Sequence, residues 1–325
     1  MSSRRDFLRA SMVAGVSLSL PKIFSSASRA TNYAAPWAPL LEPKSGETLI
    51  TVLHTNDTHS QIDPILENDK TWGGKGGVAR RATLVKRIRK ENPNTLLLDA
   101  GDVLQGTPYF NFYKGEVEYK AMSLIGYDAG TLGNHEFDNG VESLSKALKF
   151  ANFDIISTNY DVRGSALETQ VKTHAVKVVG DVRVGLFGLG VSPTGLITPD
   201  NFKPLKYLDP VRMSRGVVKL LREQEHCTLV LGMSHLGYYA TPKEDEIGDT
   251  QVAAQVDGID FIASGHTHTF MKTPVLQKTP SGNNTIVFQV GKSGIYVGRV
   301  DFTVRDGKVT AHAGTLLDLR HEALA

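Results

Sequence analysis

Five apolar runs in this chain each end, within a few residues, in a small cluster of metal-competent side chains. LITVLHTNDTH runs into Asp57 and His59, TLLLDAGD into Asp99 and Asp102, and TLGNHEFD into Asn134, His135, Glu136 and Asp138. VLGMSH ends in His235, and FIASGHTH ends in His266 and His268. Short runs rich in Leu, Val and Ile read as buried strands. Helical patterns lie between the first of them: Ala82, Leu84, Val85 and Ile88, then Val117 to Ile125, then Val141, Leu144 and Leu148. Such βαβ alternation builds a parallel sheet, and open sheets of that kind bind ligands in the crevice outside the carboxyl ends of their strands. The five clusters are therefore expected to converge.

Other segments read as antiparallel. Gly180-Asp181 separates THAVKVV from VRVGLFGLG, and Asp306-Gly307 separates YVGRVDFTV from KVTAHAG; both are hairpin turn signals. TIVFQVG is expected to join the second hairpin in the same manner. Parallel units beside antiparallel hairpins predict an α/β protein, a four-layer α/β/β/α sandwich of two mixed sheets. No Gly/Ser-rich or Pro-rich stretch interrupts residues 48–320, so one domain is expected over 47–325. Residues 31–46, with three prolines and no periodicity, read as a linker.

The first thirty residues read as an export signal. Ser3-Arg4-Arg5-Asp6-Phe7-Leu8 places paired arginines before a mildly apolar run from Ala10 to Leu20, the layout of a twin-arginine signal. That run is about half of the ~20 residues a spanning helix needs. Periplasmic or extracytoplasmic localisation follows, with no membrane span after signal removal and a membrane tether if the signal stays uncut. These residues carry five basic side chains and one acid, so of the 36 basic and 34 acidic residues the remainder keeps 31 and 33. A net charge of about −2 gives no footprint for nucleic acid or for an anionic membrane surface.

Cys227 is the only cysteine, so no internal disulfide and no thiolate-rich zinc site can form. Any metal must be held by His, Asp and Asn, donors that suit zinc, manganese, iron or cobalt. In Asp57-Thr58-His59 and His266-Thr267-His268 the candidates alternate, so in extended backbone each pair points to one side. Asp57, His59, Asp102, Asn134, His235, His266 and His268 are too many for one tetrahedral ion but suffice for two divalent ions sharing a carboxylate. Paired metals ~3.5–4 Å apart are a standard arrangement for hydrolysing phosphate esters. Each piece alone has an ordinary explanation: Asp57 a helix cap, His235 a core histidine, the glycines before Asp102, Asn134 and His266 plain turns. Five coincidences, each at a strand end, are harder to sustain. Gly73-Gly74-Lys75-Gly76-Gly77 lacks phosphate-loop spacing and reads as a flexible turn. His54, His174, His226, His312 and His321 fall outside the clusters and read as surface or core residues.

In the order NDTH, GGVARRA, GDVLQGTP, GNHEFDNG, MSH and GHTH, residues 49 to about 300 resemble the calcineurin-like metallophosphoesterases, in particular the catalytic half of the 5'-nucleotidase type. The resemblance implies that Asp57, His59 and His268 hold one metal, that Asn134, His235 and His266 hold the other, and that Asp102 bridges them. It gives His135 the catalytic role with Asp138 as its partner, places Asn134 and His135 on the substrate, and leaves Asp99 and Glu136 as structural carboxylates. A hydroxide held by such metals needs no side-chain base, because metal binding lowers the pKa of water to ~7. A small phosphorylated substrate is implied, a 5'-nucleotide or related compound. Full-length members of this type continue into a second domain that recognises the nucleoside; it is absent here, so a separate specificity-domain protein is an expected partner. A broad-range phosphomonoesterase and a cyclic-nucleotide phosphodiesterase remain as alternatives. A non-catalytic metal-binding module is disfavoured because His135 and Asp138 are both retained.

Overall fold

Alternation of side chains along the strands sorts this chain into two sheets with helices outside them. The protein is described by a computed structural model covering residues 38–239 and 247–320. The expected signal over 1–30 and the first part of the linker lie outside the described residues. One sheet has seven strands in the spatial order Lys308–Asp318, Tyr296–Arg305, Thr48–Thr55, Thr95–Asp99, Ala129–Gly130, Asp154–Ile156 and Val171–Lys172. The other has six, in the order Val275–Lys278, Asn284–Phe288, Phe261–Ser264, Leu229–Ser234, Val182–Leu189 and His174–Val179. Both are mixed: the first is antiparallel at its Lys308–Asp318 edge and parallel through to Val171–Lys172, and the second is parallel at its centre and antiparallel at both edges.

Ile50, Val52, Leu96 and Leu98 face the second sheet and pack with Val184, Leu186, Leu229 and Leu231. Leu53 and Leu97 turn the other way and bury against Leu84, Val85 and Ile88 of helix Val78–Glu91, Met122 of Glu116–Ile125 and Leu144 of Val141–Leu148. Helices Pro210–Lys219 and Asp249–Gln255 cover the second sheet. The layers are therefore α/β/β/α, as the patterning predicts. Burying a Leu or Ile side chain contributes about 1.5–3 kcal/mol, so the interleaved double core supplies most of the stability. Among the described residues no helix is long and apolar enough to cross a membrane.

The run TIVFQVG departs from expectation. Asn284–Phe288 joins the second sheet, parallel to Phe261–Ser264 and antiparallel to Val275–Lys278, while Tyr296–Arg305 lies in the first. The chain crosses between sheets over Gly291 and Gly294, both at positive φ (79° and 59°), a region that glycine enters freely. Residues 38–40 lie on the first sheet through a fully buried pair. The Arg299 guanidinium grips both oxygens of Asp301 at 2.9 Å, donates to Ala38 O, and leaves Asp301 Oδ2 to accept from Leu40 N.

His54 is wholly buried, edge-on to Phe261 and Phe288, with neither ring nitrogen hydrogen-bonded. Burial pushes its pKa down to about 3 from an ordinary 6.5. The unfolded chain binds this proton below pH 6.5 while the folded chain refuses it until about pH 3, so stability falls as pH drops through that window. At pH 4 the loss is about 3 kcal/mol. We expect His54→Leu to match or exceed the wild type at neutral pH and to lead it by roughly that amount at pH 4. Urea unfolding at the two pH values checks this; an unchanged pH dependence would refute the buried neutral histidine.

Candidate metal centre

Every candidate ligand lies just past the carboxyl end of a central strand, and the backbone there turns abruptly. Asp57, His59, Asp102, His266 and His268 all have positive φ, between 49° and 72°. The DxH and HxH pairs are therefore not extended, as alternation suggested; left-handed turns aim their side chains inward. Such a conformation costs a non-glycine residue about 1–2 kcal/mol, and outliers of this kind gather at functional sites. Neighbouring glycines allow the loops to meet. A Cβ on Gly133 would stand 2.2 Å from Asp102 Oδ1, and one on Gly265 would stand 2.8 Å from His235 Nδ1.

The result is two candidate metal sites. Asp57, His59 and His268 offer ligand atoms within 4.8 Å of one another, and so do Asp102, His235 and His266. In the first, Asp57 Oδ1 lies 3.2 Å from His268 Nε2 and 3.9 Å from His59 Nε2. In the second, His235 Nε2 lies 3.0 Å from Asp102 Oδ2. Asp57 Oδ1 is also 3.9 Å from His235 Nε2, which ties the groups together. Asn134 is buried, its Oδ1 has no hydrogen-bond partner, and the next backbone N–H, from His135, donates to Asp102 Oδ1 at 2.9 Å.

The donor set fits divalent cations. His59 Nε2 and His268 Nε2 face each other at 2.9 Å and can share only one proton, while Asn134 Oδ1 is a buried acceptor with no donor. His235 Nδ1 donates to Ala100 O at 2.7 Å, which directs Nε2 toward Asp102. Backbone and carboxylate acceptors behind ligating histidines hold the ring and its tautomer in just this way. Without metal, charge inside the cluster is balanced by protons. Burial works to lower the His235 pKa, but the Asp102 carboxylate overrides it and holds the value up at about 10. Burial lowers the values of His266, to about 4, and of His59.

Three supports surround the ligands. Glu136, buried, accepts from the backbone N–H groups of Asp102, Val103, Leu104 and Gly133 at 2.6–3.3 Å, joining the Asp102 and Asn134 loops. Burial, then the Asp102 charge, raises its pKa to about 7. Asp99 accepts from Thr55 Oγ1 and Gly101 N. Both carboxylates accept hydrogen bonds from the chain around the site and belong to neither candidate metal group. Two further residues that belong to none of the sequence clusters hold the ligand loops. Asn56 donates to Asp57 Oδ2 at 2.7 Å and to Gly291 O, and accepts from Val290 N. Gln289 donates to Ser264 Oγ and Gly265 O while its Oε1 accepts from Thr267 Oγ1 and Thr269 N, clamping the loop of His266 and His268. The one sequence signal of Gln289 is a glutamine interrupting the apolar run TIVFQVG, directly after strand Asn284–Phe288.

His135 and Asp138 stand at the rim. His135 Nδ1 lies 2.9 Å from Asp138 Oδ2, and both side chains are about one-third exposed. The Asp138 contact holds the His135 pKa above its ordinary value. The His135 ring is 5.4 Å from that of His59, and Asn201 Nδ2 donates to Asp138 O.

Two outcomes are expected. His235→Ala and His268→Ala should each lower bound manganese or zinc from two ions per chain toward one by elemental analysis; full content in both variants would overturn the ligand groups. Glu136→Gln turns an N–H donor toward backbone N–H groups, and should cost about 2–4 kcal/mol in urea unfolding and weaken metal retention. An unchanged midpoint would show that the two loops do not depend on it.

Residues 50–270 match the calcineurin-like phosphoesterase family. The snake venom 5'-nucleotidase of Gloydius brevicauda is 33% identical over 301 residues, 84% of this chain and 48% of that protein. Bovine 5'-nucleotidase is 33% identical over 86% of this chain and 51% of its own length. The chain thus spans about half the length of these curated relatives. Among solved structures, the 5'-nucleotidase precursor of Thermus thermophilus superposes with a TM-score of 0.76 at 34% identity, covering 85% of this chain and 55% of that one. The candidate ligands do not share one sheet, as the sequence pattern suggests, but follow strands of both, Thr48–Thr55, Thr95–Asp99 and Ala129–Gly130 in the first and Leu229–Ser234 and Phe261–Ser264 in the second; with a family match over most of its length, this chain belongs to the calcineurin-like phosphoesterases.

Proposed function

We propose that this protein is an exported dinuclear-metal phosphomonoesterase acting on 5'-nucleotides or closely related nucleotides. The observation that carries the reading is that His135, paired with Asp138, adjoins both metal-competent groups, its ring 5.4 Å from that of His59 and its backbone N–H donating to Asp102 Oδ1. The nucleotide part draws on the relatives, which are named 5'-nucleotidases. Export rests on the twin-arginine signal over residues 1–30, followed by a linker and the catalytic domain from residue 47.

In this reading Asp57, His59 and His268 hold one cation, Asn134, His235 and His266 the other, and Asp102 is shared. Two divalent cations there would supply an activated water and positive charge for the phosphoryl oxygens. The chain's own residues do the rest. Asp102 and Asp57 bring negative charge that favours cation binding, and Glu136 and Asn56 keep them aimed. Asp138 orients the His135 imidazole through Nδ1, which leaves Nε2 to carry the other proton. From there it can hydrogen-bond a phosphoryl oxygen and pass to the leaving alkoxide oxygen as the P–O bond breaks. Asn134 precedes His135 on the same loop, with a buried, unpartnered Oδ1.

The test is phosphate release by manganese-loaded protein from 5'-AMP, p-nitrophenyl phosphate and bis-p-nitrophenyl phosphate. Turnover of the monoesters, with AMP favoured, is expected; preference for the diester would support a phosphodiesterase instead. His135→Ala should lower kcat about 10²–10⁴-fold while metal content stays intact. Unchanged kcat in that variant would remove His135 from the mechanism, and metal binding without turnover in the wild type would remove the hydrolase.

A further inference from the structure

We propose that a groove built by this chain alone, between residues 61–69 and the helix Pro108–Tyr113, receives the nucleobase of the substrate's leaving group. The inference rests on the hydrolase reading above and adds the site and residues of base recognition. The groove encloses about 690 Å³, within the ~300–1,000 Å³ of ordinary small-molecule sites. Its walls are mainly Pro64, Ile65, Leu66, Tyr109, Phe112 and Tyr113. Leu66, Phe112 and Tyr113 are 75%, 79% and 52% exposed, an unusual outlay of apolar surface beside a metal centre.

Continuity with the chemistry comes from the chain itself. Gln61, which lines the groove, is two residues beyond His59, and Thr107, also in its lining, donates its hydroxyl to Ser60 O at 2.8 Å. Gly106 approaches so closely that a Cβ there would sit 3.0 Å from the Cβ of His59. A phosphate ester held at the metal groups can therefore extend its organic part along the groove.

The lining sets the chemistry of that part. Tyr109 and Tyr113 stack at 6.5 Å with rings 28° apart, so the helix presents flat faces. Among the described residues no lysine or arginine lines the groove, whereas Asp63 and Asp69 do, which disfavours an anionic group. Asp63 accepts from the Tyr109 hydroxyl at 2.8 Å, placing acceptors at the rim of the rings. Flat, neutral and rich in N–H donors describes a nucleobase better than an alkyl, sugar or carboxylate leaving group.

The opposite wall is fixed in advance. Ile65 N donates to Lys75 O and Gly74 N to Ile65 O, closing the loop on itself. Trp72 stacks on Phe270 at 4.9 Å and 13°, and Lys75 Nζ bonds Tyr296 Oη and Asp318. Phe270 follows His268 by two residues, so the loop is pinned to the strand end that carries the ligands. The glycine-rich turn at residues 73–77 thus serves to shape this wall.

The experiment compares kcat/KM for 5'-AMP with that for ribose 5-phosphate, which lacks only the base, in the full manganese-loaded chain. We expect AMP to be preferred at least tenfold, and Phe112→Ala and Tyr113→Ala each to shrink that ratio about tenfold, chiefly through KM for AMP, as loss of one stacking face does. Phe112→Trp should retain the preference. Equal use of both substrates by the wild type, or a ratio untouched by both alanine variants, overturns the groove while leaving the hydrolase standing. An untouched ratio with altered sedimentation would assign the face to a protein partner instead. Absence of turnover on both substrates and on p-nitrophenyl phosphate takes down the hydrolase reading and this inference with it.

Discussion

One carboxylate sets the geometry on which the rest of the centre depends. Glu136 gathers four backbone N–H groups from two loops that leave adjacent strands, Thr95–Asp99 and Ala129–Gly130. Without it these donors would be buried and unpaired, each costing about 1–3 kcal/mol. With it, Asp102 is fixed relative to Asn134, and the N–H of His135 can reach Asp102 Oδ1. The carboxylate thus couples a candidate ligand pair to the loop of His135 through main chain, which moves less than side chains do.

Local strain is the counterpart of that order. Five candidate ligands in left-handed backbone represent on the order of 5–10 kcal/mol, a sum comparable to the net stability of an ordinary domain. Only a surrounding core that over-determines the loops can hold such a site, and here the strand ends are locked by the double-sheet packing of Ile50, Leu98, Leu186 and Leu231. Cation binding would offset the remaining conflict, because it replaces like-facing imidazole nitrogens and crowded carboxylates with shared attraction. Stability and metal content should therefore be tightly linked, and the apolar core matters for function through the precision it gives the strand ends.

The layer order and the strand ends of the site were legible because they depend on period and punctuation. An apolar run followed at once by Asp57, Asp102, His235 or His266 identifies a strand end whatever the rest of the chain does. Helices Glu116–Ile125 and Val141–Leu148 carried their apolar faces openly, as did the Gly180-Asp181 hairpin. The pairing of Asn284–Phe288 was not legible, since a short apolar run fits either sheet and the choice is made by long-range packing. Asn56 and Gln289 were missed for a related reason: their task is to hydrogen-bond backbone groups 234 and 20 residues away, respectively, and no local spacing encodes that. The left-handed turns were also hidden. Asp and His in a DxH pattern suggest strand alternation, and only the convergence of five loops forces the turn instead.

The proposed chemistry and the proposed recognition fall on parts of this fold with different physical tolerance. The ligands sit where strand ends, close glycine contacts and backbone hydrogen bonds leave no room for adjustment, so a change there is felt as lost geometry. The groove of Tyr109, Phe112 and Tyr113 lies on a six-residue helix and a surface loop, exposed and supported from behind by the Trp72–Phe270 stack. Side chains there can change without disturbing the strands, since they bury little in the core. A scaffold arranged in this way can keep one hydrolytic centre while its leaving-group preference shifts through a handful of loop residues, because the two sets of residues share a boundary at His59 and Ser60 but no part of the same core.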